Sequence, residues 1–336
     1  MLAGRSLKYN MHKQNIDDIL IVNNLRVNFN IKNDNFFKKN TVLTAVDNIS
    51  FTIKKGKTLG LVGESGCGKT TTGQAILGLI QTTSGKICFE KENITNISYK
   101  EFLPKRHKIQ IIFQDPYSSL NPRQTAEEII RDPLDIHNIG NNKERINKVK
   151  ELMKLVGLRE NQMKLYPHQF SGGQRQRICI ARALALNPDF IVCDEPVSAL
   201  DVAIQAQILN LLKKLQKELN LTYLFISHDL AVVQHISDEI AVMYLGSIVE
   251  KTNNIDLFNK PKHPYTKALL SSVLNTSLET KKERIRLIGD VPNPLNKPSG
   301  CSFHTRCIYA NDKCKSIKPD FIEKENGHWV ACHVNL

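Results

Sequence analysis

The sequence lacks any long apolar run. No stretch approaches the roughly 18 consecutive apolar residues that a membrane span needs, and the N-terminal MLAGRSLKYNMHKQNIDD has no apolar centre of the secretory type. Internal repeats and low-complexity tracts are also absent. At 336 residues, 41% hydrophobic and 24% charged, the chain has a globular composition and enough length for about two packed units. We therefore expect a folded protein that stays in the cytoplasm.

Acidic residues are scarce mainly at the two ends of the chain. The net charge of the whole chain is +13. Residues 1–58 carry 10 basic and 4 acidic side chains, residues 59–250 carry 22 and 21, and residues 251–336 carry 14 and 8. The nearly neutral centre favours a catalytic or mechanical core over a nucleic-acid platform. The basic ends fit either an anionic lipid surface or diffuse solubilising charge.

Cysteine is unevenly distributed. Four cysteines are scattered through the centre, and four crowd the last 36 residues, namely Cys301, Cys307, Cys314 and Cys332. Without an export signal, disulfide bonds are not expected and the terminal cluster indicates a metal site. Four thiolates can bind tetrahedral zinc or an iron–sulfur cluster. These four cysteines include no C-x-x-C pair, which would favour zinc. Thiols that bind no metal are the alternative.

The hydrophobic pattern predicts an α/β protein with a mostly parallel core sheet. The predicted strands are residues 20–29, 45–53, 58–62, 190–193 and 223–226, and the predicted helices are a stretch ending at Ile80 and residues 204–219. The first two strands form an antiparallel entry, whereas later strands alternate with helices. Residues 127–166 have a helical pattern.

These segments define the predicted domains. Residues 1–17 form a tail, and residues 18–250 form the main domain, with a helical subdomain at about 115–175. Beyond Glu250 the regularity fades, so residues 251–336 are predicted to be a small extension that contains the cysteine cluster.

A glycine-rich loop gives the most specific chemical signal. Gly63, Gly68, Lys69 and Thr70 match the spacing G-x-x-x-x-G-K-[ST] between a predicted strand and a predicted helix. In such a loop, backbone N–H groups face a β-phosphate, the lysine reaches the β and γ oxygens, and the hydroxyl coordinates magnesium. The other loop residues expected to contact the nucleotide are Glu64, Ser65, Gly66, Cys67 and Thr71.

Two acidic residues follow the predicted strand at 190–193. Asp194 and Glu195 would be costly at the end of a buried strand without a cation or a partner. We expect Asp194 to hold magnesium, directly or through water, and Glu195 to act as the general base toward the attacking water.

A second phosphate site is predicted where Ser171, Gly172, Gly173 and Gln174 open a helix. Ser171 is a suitable N-cap, and the glycines leave backbone N–H groups accessible. Because one chain has one phosphate loop, the economical arrangement is a dimer in which each chain completes the other's nucleotide site. An ordinary helix start is the alternative.

Together these motifs resemble the ATP-binding subunits of ABC transporters over roughly residues 20–250. GESGCGKTT resembles the Walker A loop, IIFQDP the Q-loop, SGGQRQR the signature, CDEP the Walker B end, SALD the D-loop and ISHD the switch segment, in the family's order. The resemblance implies an ABC-type P-loop NTPase fold with an antiparallel β subdomain and a helical signature subdomain. It also implies an ATPase that uses ATP and Mg²⁺.

The same resemblance implies roles for individual residues. Gln114 would contact magnesium and the membrane subunit, His228 the γ-phosphate, and residues 198–201, ending at Asp201, the opposite chain. The family usually offers an aromatic residue that stacks on adenine. We expect Phe29, and not Phe36 or Phe37, to be this residue.

Further segments resemble the ATPases of oligopeptide, dipeptide and nickel importers. They are FQDPYSSLNPR, DEPVSALDVAIQAQ, HPYT at 263–266, GDVPNP at 289–294 and PSGCSFHTRC. The signature and Walker B segments look more like the second, F-type ATPase of a heterodimeric pair, and a homodimer stays open. The resemblance implies a peripheral protein on the cytoplasmic face of the bacterial inner membrane. Its partners would be two transmembrane permease subunits, a second ATPase and, indirectly, an external solute-binding protein, with no nucleic acid.

Related importer ATPases carry a 4Fe-4S cluster in their C-terminal region. By resemblance we assign such a cluster to Cys301, Cys307, Cys314 and Cys332. Two rival functions stay open from the sequence alone. One is a nucleic-acid-associated ABC protein with a zinc module, which the net charge would suit, and the other is a regulatory ATPase without a transport partner.

Overall fold

A computed structural model describes residues 17–31, 41–272, 285–287 and 289–334. The chain divides into two compact units. Unit 1 takes its described residues from 1–54, 59–96 and 228–336, and unit 2 comprises 55–58 and 97–227. Among the described residues, no helix has the length and apolar character needed to cross a membrane.

The strands and helices are numbered in chain order. The strands are β1 (Asp18–Ile31), β2 (Thr41–Lys54), β3 (Thr58–Val62), β4 (Ser84–Phe89), β5 (Glu92–Asn93), β6 (Ile109–Ile112), β7 (Phe190–Asp194), β8 (Thr222–Ser227), β9 (Glu239–Tyr244), β10 (Ser247–Asn253), β11 (Ile322–Glu325) and β12 (His328–Val330). The helices are α1 (Lys69–Ile76), α2 (Tyr99–Phe102), α3 (Pro116–Ser119), α4 (Ala126–Ile136), α5 (Asn142–Leu155), α6 (Gly172–Leu184), α7 (Val202–Leu219), α8 (Leu230–Ile236), α9 (Asn254–Asn259), α10 (Pro264–Ser271) and α11 (Asp312–Ser316).

Unit 1 contains two groups of strands. An antiparallel sheet has the order β2-β1-β4-β5, and its core side chains include the fully buried Leu20, Val22 and Phe51. The second group has the order β11-β12-β10-β9-β3, in which β3 and β9 run parallel and the other neighbours run antiparallel. The predicted antiparallel entry is confirmed. Strands β1 and β2 pair from Asp18 opposite Lys54 to Ile31 opposite Thr41, so both strands are longer than predicted.

Unit 2 is built on the parallel strands β8-β7-β6. Every residue of β7 and β8 is buried, which explains their nearly continuous apolar sequences, because a parallel strand is covered on both faces. The predicted helical segment contains α4 and α5, and both helices begin with a capping box, from Thr125 to Glu128 and from Asn141 to Glu144. The predicted α/β class with a helical subdomain is therefore confirmed.

Two predicted helix limits are wrong. The helix after the phosphate loop ends at Ile76 and not at Ile80, because Gly78 adopts a left-handed φ of 63° and closes the helix, with its N–H donating to the Ala75 carbonyl. Helix α7 begins at Val202, before the predicted residue 204, because the Asp201 carboxylate caps it by accepting from the Ile204 N–H.

Strand β10 runs through the predicted domain limit at residue 250. On one side it pairs with β9, and on the other Glu250 and Lys251 pair with Val330 and Trp329 of β12. The last described segment of the chain is thus hydrogen-bonded to the segment before the limit, within unit 1.

Candidate functional site

The glycine-rich loop connects β3 to α1 within unit 1. A Cβ atom on Gly63 would lie 2.2 Å from the Met243 carbonyl oxygen, and one on Gly68 would lie 2.3 Å from the Ala45 carbonyl oxygen. Gly68 also has a left-handed φ of 104° as it caps α1. The backbone passes so close to its neighbours that only glycine fits at these two positions.

Lys69 holds this loop in a curved conformation. Its buried ammonium group donates to the carbonyls of Gly63, at 2.8 Å, and Glu64, at 3.1 Å. Thr70 is exposed at the first turn of α1, where the helix leaves N–H groups available for an anion. The loop therefore has the form of a phosphate cradle with a lysine inside it.

Other predicted loop residues differ in exposure. Ser65 and Gly66 are exposed, Thr71 is half-buried, and Cys67 is buried. The Cys67 thiol lies 3.8 Å from the Lys69 ammonium group, and burial raises its pKa although that ammonium opposes the change. Cys67 is thus held as a neutral packing thiol.

Sequence reasoning missed two residues that contact the loop. The Arg306 guanidinium makes two hydrogen bonds to the Glu64 carboxylate, at 2.8 and 3.1 Å, and the Glu64 N–H donates to the Tyr265 hydroxyl at 3.0 Å. Both residues lie in segments that the resemblance singled out, HPYT and PSGCSFHTRC. No spacing rule connects residues 242 positions apart, so the sequence alone carries no signal of this contact.

In unit 2 the structure brings together three predicted residues. Asp194 is the buried last residue of β7, and Glu195 follows it with a left-handed φ of 46° while donating its N–H to the Ile226 carbonyl. The Gln114 side-chain amide donates to the Glu195 carboxylate at 3.1 Å. A carboxylate in this arrangement can accept a proton from water, with its direction set by an amide.

The signature segment forms the predicted helix cap. The Ser171 hydroxyl accepts from the Gln174 N–H at 3.3 Å, and the Gln174 side chain accepts from the Ser171 N–H at 3.0 Å. Gly172 is the first residue of α6. A Cβ on Gly173 would lie 2.5 Å from the Ile204 side chain, so glycine here allows α6 to approach α7, the helix capped by Asp201.

The segment after Gln114 contacts the signature helix within unit 2. The Arg175 guanidinium lies 3.8 Å from the centre of the Tyr117 ring, and Arg182 donates to the Ser119 carbonyl at 2.6 Å. Sequence reasoning missed this contact too. Two motifs of unit 2 thus meet through a stacked pair of side chains.

The remaining predicted residues of the nucleotide site lie in unit 1. His228 is exposed and directly precedes Asp229, whose carboxylate caps α8. Phe29 lies on β1 opposite Leu43 and is 39% exposed. Phe36 and Phe37 lie outside the described residues.

The four terminal cysteines are free thiols in unit 1. The Cys301 N–H donates to the Cys314 carbonyl at 2.8 Å, which joins the two ends of the segment. Burial, together with smaller contributions from the other three thiols of the cluster, raises the pKa of Cys301 to about 11. Each of Cys301, Cys307 and Cys332 accepts an N–H from the residue two positions later, Phe303, Tyr309 and Val334 respectively.

The structure shows no metal site among the residues that it describes. Among the described residues, no three His, Cys, Asp or Glu side chains are grouped closely enough to hold one metal ion. The thiols nevertheless influence one another electrostatically.

Two family models match the chain. The ABC transporter model matches residues 46–198, and the model of the oligopeptide/dipeptide transporter C-terminal region matches residues 249–314.

Characterised relatives match nearly the whole chain. The chain is 51% identical over 327 residues to the oligopeptide transport ATP-binding protein AppF of Bacillus subtilis, covering 96% of this chain and 99% of that protein. It is also 51% identical to the oligopeptide transport ATP-binding protein OppF of Haemophilus influenzae, covering 94% and 96% respectively.

Solved structures match the larger part of the fold. A dimeric, post-hydrolysis structure of the ATP-binding cassette MJ0796 with ADP and phosphate aligns with a TM-score of 0.62 and 30% identity, covering 70% of this chain and 98% of that one. The cbiO1 structure from Clostridium perfringens aligns with a TM-score of 0.62 and 29% identity, covering 73% and 92% respectively.

Proposed function

The chain belongs to the ATP-binding subunits of ABC transporters, in the group with the oligopeptide/dipeptide C-terminal region, and we propose that it drives the import of oligopeptides or dipeptides. The observation that carries this proposal is the end-to-end match. Both oligopeptide transport relatives are covered almost completely at about half identity, including the C-terminal region that a bare ATPase cassette lacks. A small solute such as nickel is the alternative cargo.

The proposed chemistry assigns one task to each motif. The loop from Gly63 to Thr71 binds the phosphates through its N–H groups and Lys69, and Thr70 coordinates magnesium. Asp194 would hold magnesium, directly or through water, and Gln114 would contact it. Glu195 takes the proton of the attacking water, which the hydrogen bond from Gln114 supports.

Hydrolysis on this scheme needs two ATPase chains. Ser171, Gly172, Gly173 and Gln174 of one chain bind the γ-phosphate held by the other, His228 contacts that phosphate, and residues 198–201 contact the opposite chain. The MJ0796 cassette supports such an arrangement, because its structure is a dimer that holds ADP and phosphate. Phe29 stacks on the adenine. ATP binding then closes the pair and hydrolysis reopens it.

The proposed assembly is a membrane complex. Two transmembrane permease subunits, a second ATPase of a heterodimeric pair and an external solute-binding protein complete it, and the chain sits on the cytoplasmic face of the bacterial inner membrane. Oligopeptide transport by the relatives supports permease partners. Residues 18–250 serve as the ATPase domain and residues 251–336 as the transporter-type extension, which the ranges of the two family matches support.

The assembly is tested by purification from native membranes. The tagged chain is extracted in mild detergent under anaerobic conditions, and stoichiometric companions are identified by mass spectrometry. Two multispanning subunits and a second, different ATPase are expected. Companions bound to ribosomes or DNA would overturn the transport function, and a single ATPase species would replace the heterodimer with a homodimer.

A 4Fe-4S cluster on Cys301, Cys307, Cys314 and Cys332 is the second part of the proposal. The mutual influence of the thiols on their pKa values and the N–H groups directed at three sulfurs support it. Iron and acid-labile sulfide are measured in the anaerobic preparation, at about four of each per chain. Cys314→Ser should lose both, whereas Cys88→Ser, in β4, should retain them. Stoichiometric zinc without sulfide would overturn the assignment.

A further inference from the structure

We propose that Arg306, in the cysteine-containing extension, is a positioning residue for ATP binding that acts through Glu64 of the phosphate loop. The inference rests on the proposed function, because it concerns the same ATP site. It adds to that site a residue that belongs to none of the family's six nucleotide motifs found here. The structural basis is a bidentate ion pair within unit 1.

Glu64 needs a positive partner in this loop. Its carboxylate belongs to the segment whose task is to hold the negative phosphates of a nucleotide, so an uncompensated charge there would oppose binding. Arg306 contacts both carboxylate oxygens, at 2.8 and 3.1 Å. The two parallel hydrogen bonds neutralise the carboxylate and also fix its orientation.

The Glu64 backbone is held from both sides. Its N–H donates to the Tyr265 hydroxyl at 3.0 Å, and its carbonyl accepts from the Lys69 ammonium at 3.1 Å. With Arg306 on the side chain, three separate groups determine where this residue lies. Because Lys69 is one of them, the position of Glu64 bears directly on the lysine that is proposed to reach the phosphates.

Arg306 is itself rigidly placed. Its side chain is only 7% exposed, and its backbone N–H donates to the Phe303 carbonyl at 3.0 Å. Phe303 packs against the buried rings of Tyr244 and Tyr265, with ring centres 5.2 and 5.3 Å apart. The aromatic cluster of Tyr244, Tyr265 and Phe303 therefore anchors two of the three residues that contact Glu64, namely Arg306 and Tyr265.

The extension thus orients the loop before any nucleotide arrives. A preorganised loop loses less conformational freedom on binding, so the contact should appear mainly in the affinity for ATP and in KM. It should appear less in kcat, because Arg306 is not placed to touch the reacting atoms.

The test compares binding of a fluorescent ATP analogue by the purified full chain and its variants. Arg306→Ala is expected to weaken binding about tenfold, and Arg306→Lys to weaken it less, because lysine keeps the charge but loses the fork. Lys315→Ala is the matched control, since that lysine lies in the same extension but is exposed and pairs with Asp312. It is expected to bind as the wild type does.

A double variant that neutralises both charges separates the positioning role of Arg306 from support of the extension's fold. Adding Glu64→Gln to Arg306→Ala removes the uncompensated carboxylate, so the double variant should regain part of the lost affinity. If Arg306 only supported the fold of the extension, the second change would give no recovery. Thermal unfolding without nucleotide is recorded for every variant, so that a loss of fold is recognised.

Two failures of this test are distinguishable. A wild-type chain that does not bind the analogue would overturn the proposed function and this inference together. A wild-type chain that binds, with Arg306→Ala and Arg306→Lys binding equally well, would overturn the inference alone. Weakened binding by Arg306→Ala without recovery in the double variant would also overturn it.

Discussion

Glu195 has an unusual backbone conformation for a residue with a long side chain. Its φ of 46° lies in the left-handed region, which costs about 1 kcal/mol or more for a non-glycine residue. The N–H bond to the Ile226 carbonyl holds this conformation, and the Gln114 amide holds the carboxylate. Strained backbone of this kind is maintained where a side chain must be aimed, which agrees with the role of general base.

We expect Glu195→Gln to keep ATP binding and to lose most turnover. The amide has nearly the same shape but cannot accept a proton, so kcat should fall by about 100-fold or more. Steady-state ATPase assays on the membrane complex, together with nucleotide binding, measure the two effects separately. Glu218→Gln serves as control, because that residue lies on α7 and pairs with Lys214. Brisk hydrolysis by the Glu195 variant would remove Glu195 from the base role.

At the scale of single elements, Ser171 has two separable tasks. It caps α6, and it is proposed to bind phosphate in the partner's site. Ser171→Ala should lower the free energy of unfolding by about 1 kcal/mol and reduce ATPase activity. Ser171→Asp should keep the cap, and so the stability, but lose the activity because its carboxylate repels phosphate. Denaturant unfolding and ATPase assays distinguish the two, and an active Asp variant would contradict the phosphate role.

The cap of α10 predicts a pH dependence of stability. His263 is buried, its Nδ1 accepts from the Tyr265 N–H, and burial lowers its pKa to about 4, although the nearby Glu250 opposes the change. In the unfolded chain the imidazole binds a proton near pH 6.5. Between about pH 4 and pH 6.5 the unfolded state therefore binds more protons than the folded state. The contribution of this group to the free energy of unfolding is fully present above about pH 6.5 and is lost as the pH drops toward 4.

When the pH is lowered from 7 to 5, the titration of His263 should lower the free energy of unfolding by about 2 kcal/mol. His263→Asn keeps a capping acceptor and removes the titration, so its stability should fall less over the same interval. Unfolding midpoints at the two pH values give the comparison. Parallel pH dependence in the wild type and the variant would show that His263 does not titrate as the structure indicates.

Local sequence signals predicted local structure well. The strand at residues 58–62 has the predicted limits, and Ser171 caps its helix as expected, because apolar runs and capping residues act over a few positions. The predicted helix end at Ile80 was wrong, since the apolar pattern continued past Gly78 while the backbone did not. The contacts of Arg306 with Glu64 and of Tyr117 with Arg175 depend on tertiary packing, which no single-sequence pattern encodes.

At the scale of the whole molecule, unit 1 is assembled from separate parts of the chain. The Glu250 carboxylate shows the consequence, since it is completely buried and accepts from the N–H groups of Lys262 and His263, at 2.7 and 3.0 Å. It is also 2.7 Å from Nε2 of His328. All three partners come from the extension, so this buried charge has these partners only when the extension is present.

A chain that ends at Asn253 should therefore be unstable. Truncation removes β12 from the side of β10, leaves Glu250 without these three partners, and removes Arg306 from Glu64. It also uncovers the buried ring of Tyr244, which packs against Tyr265 and Phe303 of the extension. We expect a large fall in the unfolding midpoint, or aggregation, relative to the full chain.

A chain that ends at Asp320 is the graded control for this truncation. It loses β11 and β12, and with them His328, but keeps Arg306 and the N–H groups of Lys262 and His263. Its midpoint should lie between those of the full chain and the Asn253 truncation. Equal midpoints for all three chains would establish residue 250 as a true domain limit, and the extension would then be an appendage with no share in the fold of unit 1.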